Sequence, residues 1–426
     1  MSRPVYLVDG ARTPFLKARS GPGPFTPVDL AVQAGRPLLA RQPLRREDIE
    51  LVVLGCVNVI ADEMNPARVA ALRLGIPVDT PAFTVQINCG SGMQSIDTAF
   101  RYIAAGHHDI ILAGGTEALS HSPLVLSGEA TEWYAGFARA RGPIDAARQA
   151  AKVRPDFFKP VIGLERGLTD PITDLNMGQT AEVLAYRFGI DRKAADTYAM
   201  ESHHRLARAQ KEGWLEDEVQ PAVARDGRAY DHDDGVRPDS DMAGLAKLKP
   251  AFEKPYGKVT PGNSSQITDG ASWTLLASEE AVERHGLTPI ARIVDSEWAA
   301  LDPAVMGLGP VLCSTPLAQR HGIGPGDVLW ELNEAFAAQV LSCVAAWQDD
   351  DFCREVLGLD GAWGRIDRDS LNVDGGAISL GHPVGTSGNR IVLHLANAMK
   401  RLGRPRGIAT ECIGGGQGGA MLLEVA

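Results

Sequence analysis

Apolar residues along this chain fall into two patterns that alternate with each other. Short, nearly continuous apolar runs predict strands at VYLVDG (5–10), ELVVLGCV (50–57), AFTVQIN (82–88), DIILAGG (109–115), WTLLAS (273–278), IARIVDS (290–296), VLWELN (328–333), GIATECI (407–413) and AMLLEV (420–425). Elsewhere the apolar positions recur at helical spacing. In GMQSIDTAFRYIAA (92–105), Met93, Ile96, Ala99, Phe100 and Ile103 share one face. The alternation predicts an α/β chain.

Two echoes divide it. LARQPLRREDIELVVLG (39–55) resembles LAQRHGIGPGDVLWELN (317–333); aligning Asp48 with Asp327 also aligns Ile49 with Val328 and Leu44 with Ile323. Later in each half comes a small-residue turn, an amphipathic helix and a strand ending in glycines: CGSGM…DIILAGG, then HPVGTSGNRIVLHLANAMKRLG…GIATECIGGG. Taken at face value, these are two copies of one α/β layer with a site at their junction. Between them the pattern changes. Residues 119–250 hold Ala-rich helices such as 191–213, which opens on an Asp cap and closes on glycine, and a polar loop, RDGRAYDHDDGVRPDSD (225–241). The Asp cluster of that loop misses the calcium-loop template and reads as a solvated loop. The predicted organisation is therefore an N-terminal half (1–118 with 251–278), an inserted domain (119–250) and a C-terminal half (279–426).

Composition adds limits. A chain of 426 residues has room for two or three domains, and a net charge of −11 argues against general nucleic-acid binding. The N-terminus lacks the segments of a signal peptide, no apolar run reaches membrane-spanning length, and the six cysteines (56, 89, 313, 343, 353, 412) show no metal-like spacing. Reduced thiols in the cytoplasm are the expectation, with no metal.

Four places carry candidate chemistry. Cys89, in QINCGSGM (86–93), stands between a strand and a helix, where the positive end of the helix dipole lowers a thiol pKa and the glycines leave room for a substrate. Its plain alternative is a small core residue. His382 lies in NVDGGAISLGHPVGTSGNR (372–390), where the glycine density points to unusual backbone geometry or close ligand approach, and Pro383 keeps a helix from beginning before it. A loop histidine with no chemical role is the alternative. Cys412, in ECIGGGQGGA (411–420), mirrors the setting of Cys89; the formal GxGxxG at Gly414, Gly416 and Gly419 precedes a strand rather than a helix and is no dinucleotide fingerprint. Asn333, in LNEAFAAQ (332–339), sits where a strand gives way to a helix, and capping alone explains it.

Together these segments resemble the thiolase family in family order: Cys-Gly-Ser-Gly, Asn-Glu-Ala-Phe, Gly-His-Pro followed by Gly-x-Ser-Gly, and a C-terminal Cys-x-Gly-Gly-Gly. GARTPF (10–15), AGGTEALS (113–120), MGQTAE (177–182) and TPGNSSQITDGA (260–271) also resemble thiolase segments, so the likeness runs from about residue 4 to 424. It implies a layered αβαβα core of two similar halves, with the insertion as a mainly helical loop domain that cradles coenzyme A. The implied reaction is reversible, CoA-dependent cleavage of a 3-oxoacyl-CoA to acetyl-CoA and a shortened acyl-CoA through an acyl-cysteine.

By that resemblance Cys89 is the nucleophile, His382 its base, and Cys412 the group that exchanges a proton with the α-carbon of acetyl-CoA. One oxyanion site combines His382 with a water held by Asn333; the other uses the backbone amides of Cys89 and Gly414. Ser265 contacts pantetheine, and Met177 lines the pocket. Arg139 and Arg141, with Arg148, Lys152, Arg154 and Lys159, form a basic stretch facing the CoA phosphates or, equally, a solvated helix face. CoA is a substrate and no cofactor is implied. A homodimer or homotetramer follows by analogy, with room for a hydratase–dehydrogenase partner in β-oxidation. Asn176, where many short-chain members have histidine, and the long 119–176 stretch lean to the degradative or trifunctional-complex type. Asn333 in place of that group's frequent histidine leans away, so acyl length, direction and pathway stay open. The alternatives are a short-chain acetyl-CoA acetyltransferase, an acyl-carrier-dependent ketoacyl synthase, and a non-catalytic acyl-CoA or lipid carrier on the same fold.

Overall fold

The computed structural model describes residues 3–19 and 21–426; Met1, Ser2 and Ser20, which fall in the predicted N-terminal half, lie outside it. Every predicted strand is present: β1 (Val5–Arg12), β2 (Leu51–Gly55), β3 (Ala82–Val85), β4 (Ile110–Ala118), β5 (Thr268–Ser278), β6 (Ala291–Ala300), β7 (Leu329–Leu332), β8 (Arg406–Ile413) and β9 (Gln417–Val425). The principal helices are α1 (Pro27–Ala40), α2 (Ser91–Ala104), α3 (Gly128–Ala138), α4 (Met177–Arg187), α5 (Arg192–Lys211), α6 (Gly309–Arg320), α7 (Ala337–Gln348) and α8 (Val384–Leu402). β5 starts five residues before its predicted beginning. Its polar beginning, Thr268-Asp269-Gly270, is buried because the two-residue strand Leu16–Lys17 and β4 flank it, so neighbours rather than local apolarity decide its length.

The strands run in the order β7-β8-β9-β6-β1-β5-β4-β2-β3. That order is palindromic about the antiparallel β1–β6 contact, where Val5–Leu7 meet Ile293–Ala291. On each side the outer pairings are parallel and the inner ones antiparallel. β3 has as its counterpart only a single parallel bridge, Trp330 to Leu371. The sequence echo thus becomes a structural one, and Leu44, Ile49, Ile323 and Val328 are all buried.

Both half-sheets press one face onto the same pair of helices. α2 contributes Met93, Ile96, Ala99 and Ile103, and α8 contributes Ile391, Val392, Leu395, Ala396 and Met399, to a cluster shared with Leu7, Val53, Ile111, Leu329 and Met421. Burial of each large aliphatic side chain there contributes about 1.5–3 kcal/mol. α1 covers the outer face of the first half, and α6 and α7 cover that of the second. The result is a five-layer αβαβα stack. α8 closes on Gly403, whose positive φ of 62° ends the helix.

The middle of the chain holds α3, α4, α5 and two short antiparallel strand pairs, Leu124–Val125 with Val161–Ile162 and Ala222–Val223 with Ala229–Tyr230. Its polar loop is not simply solvated, contrary to expectation. Asp233 is buried and receives Arg12 Nη1 and Nη2 at 2.7 and 2.9 Å and the Phe15 amide at 2.7 Å. Among the described residues no helix is long and apolar enough to cross a membrane.

Candidate active site

Beyond β3 the chain turns sharply at Asn88, whose φ of 45° lies in the left-handed region that asparagine tolerates better than most side chains. Its Nδ2 donates to the Gly414 carbonyl at 2.8 Å, tying this turn to the glycine loop between β8 and β9. Cys89 follows, two residues ahead of α2. Burial opposes the acidity expected of a thiol ahead of a helix. The Gly90 and Ser91 amides donate to the Ile87 and Asn88 carbonyls, and burial pushes the thiol up to about 12 against the opposing pull of the Gly414 amide. Cys89 rests as a neutral thiol whose residue surface is still partly open.

His382 occupies the corresponding place in the second half, two residues ahead of α8. Gly381 makes the preceding turn at a φ of 111°. A one-turn helix, Ala377–Leu380, precedes it, where the sequence led us to expect no helix before Pro383. Pro383 then serves as the N-cap of α8. The His382 amide donates to the Gln266 carbonyl at 2.9 Å, and Nδ1 lies 2.6 Å from Ser387 Oγ. Nε2 is buried without a partner. Burial, assisted by the charge of Arg390, lowers the imidazole to about 4, so it is neutral at physiological pH and free to accept a proton. The two loops meet because the first turns of α2 and α8 touch: a Cβ on Gly92 would sit 2.6 Å from the Asn389 nitrogen and 2.9 Å from the Thr386 carbonyl oxygen.

The ends of β7 and β8 supply the other two groups. The Asn333 amide extends their ladder by donating to the Thr410 carbonyl at 2.9 Å. Its side chain is fully buried with neither Oδ1 nor Nδ2 partnered. Cys412, two residues past Thr410, is buried against Met177, Met306 and Phe336. Its thiol is pushed well above its ordinary value, first by burial and then by Cys89 and Cys343, and the Asn88–Gly414 hydrogen bond ties the loop that follows Cys412 to the turn that carries Cys89.

Met177 opens α4 behind the capping box of Asn176 and Gln179, and its Sδ is 3.3 Å from where a Cβ on Gly414 would stand. The half-buried Ser265 donates its amide to the Ala335 carbonyl at 3.0 Å. With Gln266 on His382, this short segment stitches the asparagine and histidine loops together. Arg139 and Arg141 are exposed at and beyond the C-terminal end of α3. Arg148 faces Asp145, and Arg154 faces Glu129 and Asp156, so local acids absorb part of the basic stretch.

Three supporting residues had no role in the sequence reading. Ser387 orients His382. Glu117, buried on β4, accepts the Gly385, Asn58 and Val57 amides at 2.9, 2.8 and 3.2 Å and pins the histidine loop to the first half. Glu334 gathers Tyr198 Oη, Ser202 Oγ, Asn372 Nδ2 and the Ile378 amide, and so fixes the Asn333 turn. A charged residue inside an otherwise apolar or small-residue strand end was the available signal for both carboxylates.

Neutral thiols, a neutral imidazole and an unpartnered carboxamide on converging loops form a site suited to acyl transfer. Comparison with known proteins agrees. Residues 5–280 match the thiolase N-terminal domain and residues 287–425 the thiolase C-terminal domain. The chain is 37% identical to an acetyl-CoA acetyltransferase of Chromobacterium violaceum over 99% of both chains. It is 38% identical to a β-ketoadipyl-CoA thiolase of Pseudomonas aeruginosa over the whole of both. The crystal structure of human mitochondrial 3-ketoacyl-CoA thiolase in complex with CoA superposes with a TM-score of 0.84 at 34% identity, covering 100% of this chain and 98% of that one. The chain belongs to the thiolase family of acyltransferases.

Proposed function

We propose that this acyltransferase cleaves 3-oxoacyl-CoA through an acyl-Cys89 intermediate, with His382, Cys412 and Asn333 dividing the proton and charge management. The observation that carries the assignment is the buried, unpartnered His382 Nε2 and Asn333 carboxamide beside two neutral thiols. A folded chain leaves such groups unpaired at a cost of about 1–3 kcal/mol each, which the Cys89 proton at Nε2 and a substrate or water oxygen at the carboxamide nitrogen offset during reaction.

The steps balance. Cys89 passes its proton to His382 Nε2 and attacks the 3-oxo carbon; the developing oxyanion is met by a prepared donor set. The C2–C3 bond then breaks, and Cys412 donates its proton to C2, releasing acetyl-CoA. The resulting Cys412 thiolate takes the proton of incoming CoA, whose sulfur attacks the acyl-Cys89 thioester. His382 returns its proton to Cys89 as the shortened acyl-CoA departs. Met177, Met306, Phe252 and Phe336 cluster with Cys412 and form the apolar surface offered to the acyl and pantetheine portions. Arg139 and Arg141 meet the CoA phosphates.

The degradative reading is preferred, and the acetyl-CoA acetyltransferase name carried by one relative keeps a short-chain condensing role as the second reading. The partly buried edge strand β3, with Phe83 and Val85, supports a homodimer in which two such edges meet. Six unpaired cysteines support a reducing, cytoplasmic setting. A hydratase–dehydrogenase partner is compatible with the degradative role. Incubation with 3-oxoacyl-CoA of graded chain length plus free CoA yields acetyl-CoA at a rate that maps the preference. No acetyl-CoA at any length overturns the assignment in favour of a carrier.

A further inference from the structure

β8 turns two neighbouring residues to opposite sides. Cys412 faces the site, and Glu411 faces the helices α2 and α8. Its carboxyl is fully buried, and neither oxygen has a hydrogen-bond partner among the described residues. The fit is tight: a Cβ on Gly388 would collide with Glu411 Oε1 and with the Met93 backbone nitrogen. Gly388 immediately follows Ser387, the residue that holds His382 Nδ1, and Met93 lies one helical turn after Cys89. The side chain therefore stands in the wedge between the helix that begins at the nucleophile and the helix that carries the base.

We propose that Glu411 is a positioning residue for the thiolysis assigned above, filling the wedge between α2 and α8 and holding Cys89 and His382 in register. The inference rests on that assignment. An ionised carboxylate without donors in such a place is strongly disfavoured, and Glu411 is accordingly held well above the ordinary carboxyl range by burial. The ionisable groups that bear on it are Arg390 from α8, Cys89 ahead of α2 and Cys412 on its own strand. Arg390 donates Nη1 to Glu331 of β7 at 2.5 Å, while its Nε and Nη2 have no partner among the described residues and reach neither oxygen of Glu411, and the residue opposite Glu411 on β9 is Gly419. A charge forming at Glu411 raises both thiols further and opposes the thiolate that the reaction requires. The wild-type rate consequently falls at alkaline pH as this acid ionises.

The test uses full-length enzyme with acetoacetyl-CoA and CoA, and wild-type turnover is recorded first so that failure of the thiolase assignment shows separately. Glu411→Ala empties the wedge and lowers kcat about tenfold or more with little change in KM, because small displacements of reacting groups are costly. Glu411→Gln fills it without an ionisable group, restores most of the loss and moves the alkaline limb of the kcat profile to higher pH. Infrared difference spectra between neutral and alkaline pH show a protonated-carboxyl band in wild type, distinct from that of the buried Glu117, that is absent from Glu411→Gln. The proposal is overturned by an alkaline limb that coincides in wild type and Glu411→Gln, by a Glu411→Ala enzyme with unchanged kcat, or by the absence of that band, which reads the wedge even in a variant that folds poorly.

Discussion

A histidine and two thiols, all neutral at rest, define the chemistry at the scale of single residues. His382 is lowered to about 4 by burial, so it is the deprotonated base across the neutral range and is lost only on acidification. Activity therefore persists down to mildly acid pH and falls as pH drops through His382's depressed pKa, which a kcat profile checks. The same group adds stability above its unfolded pKa of about 6.5 that is lost as pH falls towards 4. Ser387→Ala removes the hydroxyl 2.6 Å from Nδ1 and leaves a buried ring nitrogen unpaired; kcat drops by about 10–100-fold with a smaller effect on KM. The loops bearing Cys89, His382, Cys412 and Asn333 were legible in the sequence because glycine-rich junctions between strands and helices stand out from apolar runs. Their electrostatics were not. The thiol was expected to be acidic beside a helix N-terminus, whereas burial pushes it up to about 12.

Elements matter through how closely they approach. α2 and α8 touch at their first turns because Gly92 lacks a side chain, and Gly92→Ala forces a methyl group onto the Asn389 nitrogen and the Thr386 carbonyl. The cost is about 1–3 kcal/mol of stability, read from chemical denaturation. Misalignment of the Cys89 and His382 loops accompanies it, read as a fall in kcat. Strand positions followed directly from apolar runs, whereas the polar beginning of β5 and the one-turn helix at Ala377–Leu380 did not. Both depend on neighbours that a linear pattern does not contain. Glu117 and Glu334 escaped notice for the same reason, since only the folded chain turns backbone amides towards them.

Across the whole molecule, one buried ion network joins regions far apart in sequence. Arg12 on β1 meets Glu218 and Asp233 from the middle of the chain, and His394 on α8 lies between Glu218 at 3.0 Å and Asp374 at 3.3 Å. These two carboxylates raise the His394 pKa to about 10. Its stabilising contribution is complete below the unfolded value of about 6.5 and disappears as pH rises through 10, so the melting temperature declines over that window. His394→Leu removes a buried cation from between Glu218, which keeps Arg12, and Asp374, which keeps Arg401; it costs up to about 3 kcal/mol at neutral pH and flattens the alkaline decline in thermal scans. The network joins β1 of the first half to α8 of the second, the helix that begins just after His382. The central claim, that the active site carries an acyl group on one named thiol, is tested most directly by mass spectrometry of the enzyme after incubation with acetoacetyl-CoA without free CoA. The expected result is a single acetyl adduct on the peptide containing Cys89, retained in Cys412→Ala and absent from Cys89→Ala. An adduct on Cys412, or acetyl-CoA release with no protein adduct, would contradict it.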